Sequence, residues 1–303
     1  VLDFSRKEVV DGIFTQIAKV LDETKADYVK MDMNRHLTDV WSKTEGEQNQ
    51  GAILHRYMLG VYDFLERLHE RYPALLIEGC SGGGGRFDAG MLYYTPQIWC
   101  SDNTDAIERV KIQYGTSFAY PSCTVGSHVS AVPNHQTGRT TELATRAAVA
   151  MAGSFGYELD LNLLTEEEKE QVRAQIKNYH RFEMLIRQGR YYRLTDVWQK
   201  KEYAAWEYCR PDGSEALVTV VTLDTQCNPA TEYVKLRGLG EDKKYRVEVV
   251  GMQTGGENGQ RINGTPNSVE PEYYTGAQLV HAGLPVPRLG NEYKSWQVYV
   301  KEV

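Results

Sequence analysis

Cysteine is scarce in this 303-residue chain, and no two cysteines form a Cys-x-x-Cys pair. The five that occur are scattered and odd in number: Cys80, Cys100, Cys123, Cys209 and Cys227. This spacing argues against a disulfide framework and against a zinc site. Free thiols are typical of a reducing compartment, so we expect a cytoplasmic protein.

Long apolar runs and blocks of basic residues are also lacking. No segment approaches the length of a membrane span or of a signal-peptide core. The net charge is -7, and cationic patches are what nucleic acids and anionic membrane surfaces require, so we expect neither partner. His128 and His135 are spaced wrongly for a His-Glu-x-x-His site, so no metal or other cofactor is expected.

What the sequence does contain, up to residue 190, is a strand, loop and helix pattern repeated about every 30 residues. Five segments resemble strands: 27–32, 74–79, 96–103, 124–136 and 155–161. Helical spacing of apolar residues follows them, most clearly in 55–72 and 165–188, where Thr165 is a candidate N-cap. The pattern predicts parallel βαβ units, in a (β/α)8 barrel or a doubly wound sheet.

The sequence pattern changes near residue 191. Two strand-like runs in 204–223 surround the turn signal Pro211-Asp212-Gly213, and 232–250 repeats the theme. Residues 255–268 form a glycine-rich and polar loop. We therefore predict two domains: an α/β domain over 1–190 and an antiparallel β-sandwich over 191–303. The chain begins at Val1 in what reads as mid-domain, so we expect a fragment.

Two aspartates follow strand ends and are candidate catalytic groups. Asp32 ends the first strand and Asp102 ends another, two βα units later. A carboxylate pair across a barrel mouth can cleave a glycosidic bond if one is ionised and the other protonated. Lys30 would help keep Asp32 ionised, and Trp99 could reduce the hydration of Asp102. The alternative is that both aspartates only cap helices or form surface ion pairs.

Other polar residues receive weaker predictions. Asp105 suits the start of a helix, where the helix dipole favours an acid. Glu78 lies inside a strand and could support a neighbouring functional residue. The run "CSGGGGRFD" (80–88) allows close approach of its backbone to a ligand, or it is merely a flexible loop. Cys80 has no base near it in sequence, so a nucleophilic role is disfavoured.

Three long motifs resemble glycoside hydrolase family 36, the bacterial α-galactosidases: "YVKMDMNR", "EGCSGGGGRFDAGMLYYTPQIWCSDNTDAIER" and "GSHVSAVPNHQTGR". The resemblance implies a retaining hydrolase that releases terminal α-linked galactose from oligosaccharides of the melibiose or raffinose type. It implies Asp32 as nucleophile and Asp102 as general acid/base. It also implies galactose contacts at Lys30, Asn34, Cys80 and Gly82 or Gly83, and we add Trp99 as a candidate substrate-binding residue beside Asp102.

The sequence departs from that family pattern in two respects. Met31 stands where the family usually has tryptophan, but strand alternation should turn residue 31 away from Lys30 and Asp32. The family's N-terminal β-sandwich and first three barrel strands have no counterpart, so the fold class expected is a partial (β/α)8 TIM barrel, strands four to eight, followed by an antiparallel β-sandwich. Such a partial barrel would expose strand edges and be unstable or sticky alone.

Alternatives to the α-galactosidase interpretation remain open. The same scaffold could act as an α-N-acetylgalactosaminidase or as a galactosyl transferase. A galactoside-binding module without activity is a further possibility, because the front of the barrel is missing. The family resemblance also suggests a homo-oligomer for the full-length protein, with a small oligosaccharide as its ligand.

Overall fold

The computed structural model describes residues 1–227, 230–250, 272–287 and 292–303. Its contacts divide the chain into two compact units, Val1–Asp102 and Asn103–Val303. The predicted loop at 255–268 lies outside the described residues, and the domain boundary predicted at 190 stays a prediction. None of the described helices is long and apolar enough to cross a membrane.

The first unit is a three-stranded parallel sheet with helices between the strands. Its elements are α1 (Lys7–Thr24), β1 (Tyr28–Met31), a 3₁₀ turn (Glu47–Ala52), α2 (Ile53–Arg71), β2 (Leu76–Gly79), the left-handed turn α3 (Ser81–Gly84), α4 (Ala89–Tyr94) and β3 (Gln97–Ile98). The strand order is β1-β2-β3, and both pairings are parallel. The βαβ pattern predicted for this part of the chain is confirmed.

One face of this sheet packs against the helices. Val61 and Leu65 of α2 are fully buried in a cluster that also contains Ile77 of β2. Val29 and Met31 of β1 pack against the same cluster. Because successive strand residues point to opposite faces, Lys30 faces away from the helices. The prediction that residue 31 turns away from the side of Lys30 is confirmed.

The second unit begins with a further parallel strand pair and three helices. These elements are α5 (Ala106–Thr116), β4 (Gly126–Ser130), α6 (Leu143–Ala150), β5 (Ser154–Glu158) and α7 (Glu166–Gln188), with 3₁₀ turns at Ser122–Thr124 and Leu161–Leu163. Thr165 caps α7 in a reciprocal capping box with Glu168, as its position in the sequence predicts.

The rest of the second unit is antiparallel. Its strands are β6 (Arg190–Arg193), β7 (Tyr203–Cys209), β8 (Glu215–Thr222), β9 (Tyr233–Val234), β10 (Lys244–Val249), β11 (Glu272–Thr275), β12 (Leu284–Pro285) and β13 (Ser295–Glu302), with a π-helical turn at Gln278–Ala282. Among the described residues, six strands form one sheet in the order β11-β10-β13-β8-β7-β6, and β9 pairs with β12. The antiparallel prediction for this region is confirmed.

Both faces of the large sheet are covered, which explains why β7 is buried along its whole length. Trp206 and Tyr208 point into a cluster with residues of α5, α6 and α7, while Ala205 and Cys209 point into a cluster with residues of β9 and β12. The helices that precede the sheet therefore share a core with it. This shared core is the physical reason that the compact unit starts at Asn103.

Glu207 of β7 is an acid buried in this apolar sheet. It has no exposed surface, and its Oε2 accepts a hydrogen bond of 2.9 Å from the backbone N–H of Arg237. Its Oε1 has no hydrogen-bond partner among the described residues. Burial raises the pKa of Glu207 to about 8, and the Arg237 hydrogen bond only partly opposes this effect. The folded protein therefore holds this carboxyl protonated at neutral pH.

Because the pKa of Glu207 is raised in the folded state, the stability of the protein depends on pH. Between the unfolded pKa near 4.5 and the folded pKa near 8, the folded state binds one more proton, so its stability falls as pH rises. Glu207→Gln removes the titrating group, so the variant should become more stable than wild type as pH rises. The difference in the free energy of unfolding should reach on the order of 4 kcal/mol at pH 8. Urea denaturation at pH 5 and pH 8 measures the difference.

The same change at exposed Glu70 is the matched control and should give a difference near zero at both pH values. A Glu207→Gln effect that is independent of pH would show that Glu207 is not protonated in the folded state.

Candidate active site

The face of the first sheet opposite the helices carries the candidate site. The parallel register pairs Lys30 of β1 with Glu78 of β2, and Glu78 with Gln97 of β3. These three side chains form one row across the sheet. Two residues further on, alternation returns Asp32, Cys80 and Trp99 to the same face at the carboxyl ends of the strands. This end of a parallel sheet is where α/β proteins bind ligands.

Asp32 is held by hydrogen bonds to both oxygens of its carboxylate. Oδ1 accepts from the backbone N–H groups of Met33 at 2.8 Å and Gly82 at 3.0 Å. Oδ2 accepts from the Asn34 amide at 3.0 Å, and the Cys80 thiol also donates to the carboxylate. Burial is the largest single influence on the pKa of Asp32 and raises it, but the four donors together outweigh burial and lower the pKa to about 2. Asp32 is therefore ionised at neutral pH.

The glycine run forms a left-handed turn between the ends of β1 and β3. Ser81, Gly82, Gly83 and Gly84 all have positive φ, between 62° and 97°. A Cβ added to Gly83 would lie 2.7 Å from the backbone nitrogen of Asp102. Only glycine combines this conformation with such close approach. The glycines here permit close packing of the turn on the backbone of Asp102, while close approach to a ligand stays a prediction.

Asp102 lies on the other side of that turn. Its Oδ1 accepts a hydrogen bond of 3.1 Å from the indole N–H of Trp99, while the carboxylate itself is exposed. The sequence suggests that Trp99 reduces the hydration of Asp102, but the observed contact is a polar hydrogen bond from a buried ring. Trp99 thus orients the carboxylate instead of covering it.

Lys30 is paired with Glu78 and is not among the main causes of the low pKa of Asp32. Its Nζ lies 3.6 Å from Oε1 of Glu78 and 5.1 Å from the centre of the Trp99 ring. The low pKa of Asp32 comes from the hydrogen bonds described above. The reason is geometric, because the strand register places Glu78 directly beside Lys30.

Cys80 acts here as a hydrogen-bond donor. Its side chain is buried, and burial together with its bond to Asp32 raises the pKa of the thiol. A thiol in this state is a poor nucleophile. The geometry therefore agrees with the sequence-based argument against nucleophilic cysteine chemistry.

The other polar candidates lie in the second unit and have structural contacts. Asp105 caps α5 through the N–H of Ile107 at 2.9 Å and accepts from Thr137 and Arg139, as expected for a structural acid. His128 lies 2.7 Å from a carboxylate oxygen of Glu158. Within the described ranges, no group of three or more His, Cys, Asp or Glu side chains could hold a metal ion.

The sequence predicts only a possible supporting role for Glu78, and it does not identify the partners of this residue. Glu78 is 1% exposed and contacts Tyr28, Lys30 and Gln97. Alternation back from Cys80 and Trp99 would have placed Glu78 and Gln97 on the site face. Nothing local in the sequence indicates that β1 and β2 pair in the register that brings Lys30 to Glu78.

Two family models cover most of the chain. The melibiase model matches residues 1–189, and the model of the glycosyl hydrolase family 36 C-terminal domain matches residues 203–300. The chain belongs to glycoside hydrolase family 36. The first matched domain is of the TIM-barrel type, which agrees with the barrel class predicted from the sequence.

Curated family 36 relatives match over the whole chain. It is 54% identical to the bifunctional alpha-galactosidase/sucrose kinase AgaSK of Mediterraneibacter gnavus, covering 100% of this chain and 29% of the relative. It is 43% identical to alpha-galactosidase AgaA of Geobacillus stearothermophilus, covering 100% of this chain and 38% of the relative. The chain thus spans about a third of the length of these relatives.

Solved family 36 structures match with similar coverage. The galactosidase domain of AgaSK superposes with a TM-score of 0.86 at 53% identity, over 100% of this chain and 38% of that chain. A variant of AgaA from Geobacillus stearothermophilus in complex with raffinose superposes with a TM-score of 0.90 at 42% identity, over 100% and 39%.

The left-handed turn is directly testable. Gly83→Ala forces a side chain into positive φ and against the Asp102 backbone, so it should lower the free energy of unfolding by about 2 kcal/mol or more. Gly12→Ala is the matched control, because Gly12 lies in helix α1 with open space around it. This change should raise the free energy of unfolding by about 0.5–1 kcal/mol. Urea denaturation compares both variants with wild type. Equal stability of Gly83→Ala and wild type would contradict the assigned turn.

Proposed function

We propose that this chain carries the catalytic carboxylates of a retaining α-galactosidase. The observation that carries the proposal is that the two aspartates differ in their hydrogen bonding. Asp32 is held and kept ionised by four donors, whereas the Asp102 carboxylate accepts one side-chain hydrogen bond from the described residues, that of the Trp99 indole. Membership of family 36, whose curated relatives above are named alpha-galactosidases, supplies the substrate class.

Asp32 suits the role of nucleophile. A retaining glycosidase needs one carboxylate that attacks the anomeric carbon and forms a glycosyl-enzyme ester. A carboxylate with a pKa of about 2 remains ionised over the whole working range of such an enzyme. Its hydrogen bonds also fix the orientation of both oxygens, which favours a reproducible attack geometry.

Asp102 suits the role of general acid and then base. It would protonate the leaving oxygen while Asp32 attacks, and afterwards accept a proton from the water that releases galactose. Trp99 holds Oδ1 of Asp102, which leaves the other oxygen to exchange the proton. Galactose would leave with its anomeric configuration retained, because two inversions occur in sequence.

Galactose would sit on the same face of the sheet. Asn34 and Cys80 contact Asp32 there, and Lys30 is on the same face of the sheet. The Lys30 ammonium and the second N–H of the Asn34 amide would donate to sugar hydroxyls, and the Cys80 sulfur would accept from one. Gly82 and Gly83 have no side chains, so their backbone can approach the ring. The Trp99 ring would form the wall of the sugar site beside Asp102.

Several finer predictions belong to the same proposal. We propose that β1 to β5 are strands four to eight of a family 36 barrel, supported by the parallel three-stranded sheet of the first unit and the parallel strand pair of the second. We place the domain boundary near residue 190, which agrees with family-model matches that end at 189 and restart at 203. The substrate would be an oligosaccharide of the melibiose or raffinose type. Homo-oligomer formation and a cytoplasmic location are further predictions.

The two carboxylate roles predict different rescue products. Asp32→Ala should lower kcat on an aryl α-galactoside at least about a thousandfold. Added azide should restore turnover and yield the β-galactosyl azide, because azide replaces the nucleophile on the opposite face. Asp102→Ala should lower kcat most on raffinose, whose leaving group needs protonation, and azide should yield the α-galactosyl azide. Chromatography and NMR identify the products, using the protein as its gene encodes it.

Asp105→Asn is a suitable control for the loss of a neighbouring acid, since Asp105 caps α5 in the second unit. It should lower stability more than it changes kcat. Near-normal hydrolysis by Asp32→Ala or Asp102→Ala, or the opposite azide stereochemistry, would sink the assignment.

A further inference from the structure

Glu78 is a buried carboxylate that the proposed mechanism does not use. It is 1% exposed, and it lies on the middle strand of the three-stranded sheet, on the face that carries the site. A buried carboxylate is costly unless neighbouring groups hydrogen-bond to it or pair with its charge. Its contacts therefore indicate what it is positioned to do.

The two oxygens of Glu78 have different partners. Oε2 accepts from the Tyr28 hydroxyl and, at 2.5 Å, from the side-chain amide of Gln97. Oε1 has no hydrogen-bond partner among the described residues, and the Nζ of Lys30 lies 3.6 Å from it. One oxygen is thus fixed by β1 and β3, and the other is directed at the lysine.

Lys30 is a side chain that needs such fixing. Its ammonium ends a flexible four-carbon stem, and ordering a free lysine costs up to about 2 kcal/mol of side-chain entropy. Glu78 on one side and the Trp99 ring at 5.1 Å on the other define where the ammonium stands. Trp99 in turn donates to Asp102, so the same contacts run from Glu78 to the second carboxylate.

We propose that Glu78 is a positioning residue that acts through Lys30 and holds its ammonium ready to bind a galactose hydroxyl. The inference rests on the proposed function, because it takes galactose as the ligand. Glu78 itself is buried at the centre of the row that Lys30 and Gln97 flank, and it needs no contact with the sugar. Its negative charge, fixed by Tyr28 and Gln97, serves as the anchor for the lysine.

A double-mutant cycle on galactose binding tests the proposal in the protein as its gene encodes it. Glu78→Gln keeps the shape and removes the charge, and should weaken the Kd for galactose about tenfold, with KM rising in parallel and kcat changing less. Lys30→Met should weaken binding at least as much. In the Lys30→Met background, Glu78→Gln should change the Kd less than twofold, because the residue it positions is gone.

Two further variants guard against a purely structural explanation. Tyr28→Phe removes one hydrogen bond to Glu78 but leaves its charge, and should weaken the Kd less than Glu78→Gln does. Glu78→Asp keeps the charge but withdraws it by one methylene, and should bind galactose with intermediate affinity. If Glu78→Gln fails to fold, Glu78→Asp with and without Lys30→Met carries the cycle.

The outcomes separate this inference from the proposed function. Additive effects of Glu78→Gln and Lys30→Met, or unchanged binding in Glu78→Gln, overturn the role of Glu78 even if the enzyme is an α-galactosidase. Galactose binding without hydrolysis by the unaltered protein overturns the proposed function but leaves the cycle measurable. Absence of galactose binding overturns both.

Discussion

The parallel register between β1 and β2 is the constraint on which the site depends. It sets Lys30 beside Glu78 and Met31 beside Gly79. Because side chains alternate along a strand, a slip of one residue would turn Lys30 and Asp32 towards the helices and Met31 towards the site. The apolar contacts of Val29 and Met31 with the helix cluster prevent that slip. Packing on one face of the sheet thus fixes the chemistry on the other.

The left-handed turn Ser81–Gly84 contacts both aspartates of the candidate site. The turn follows β2 and gives its Gly82 N–H to Asp32 on one side, while Gly83 meets the backbone of Asp102 on the other. The nucleophile proposed here and its partner acid are therefore positioned by neighbouring residues of one turn. Arg86 supports the turn, since its Nε donates to the Ser81 hydroxyl at 2.6 Å.

Much of this could be predicted from the sequence, where the signal is local. Strand alternation marks Asp32 and turns Met31 away, and the Thr165 cap and the Asp105 helix start follow from residue type and position. The partner of Lys30 could not be predicted, because it depends on a pairing between residues 48 apart in the chain. The glycine run was ambiguous for a related reason, since its conformation depends on the backbone of residues 100–102 against which it packs.

The second unit illustrates the same limit on a larger scale. Strand patterns predict an antiparallel sheet, but they do not reveal that α5, α6 and α7 cover one face of it. The helices bury the face of β7 that carries Trp206, and β9 with β12 buries the other face, where Glu207 lies between Ala205 and Cys209 in an apolar environment. An acid at that position in a strand would ordinarily be assigned to the solvent side. Only the packing of elements distant in sequence shows it to be inside.

Trapping the covalent intermediate tests the central claim most directly. A fluorinated α-galactosyl fluoride, which forms the glycosyl-enzyme ester but hydrolyses slowly, should label one carboxylate stoichiometrically. Trypsin cleaves after Lys30 and Arg35 and after Arg86 and Arg109, so the two candidate aspartates fall in separate peptides. The account predicts the added mass on the peptide 31–35, at Asp32. Label on the peptide 87–109, at Asp102, or elsewhere would contradict it.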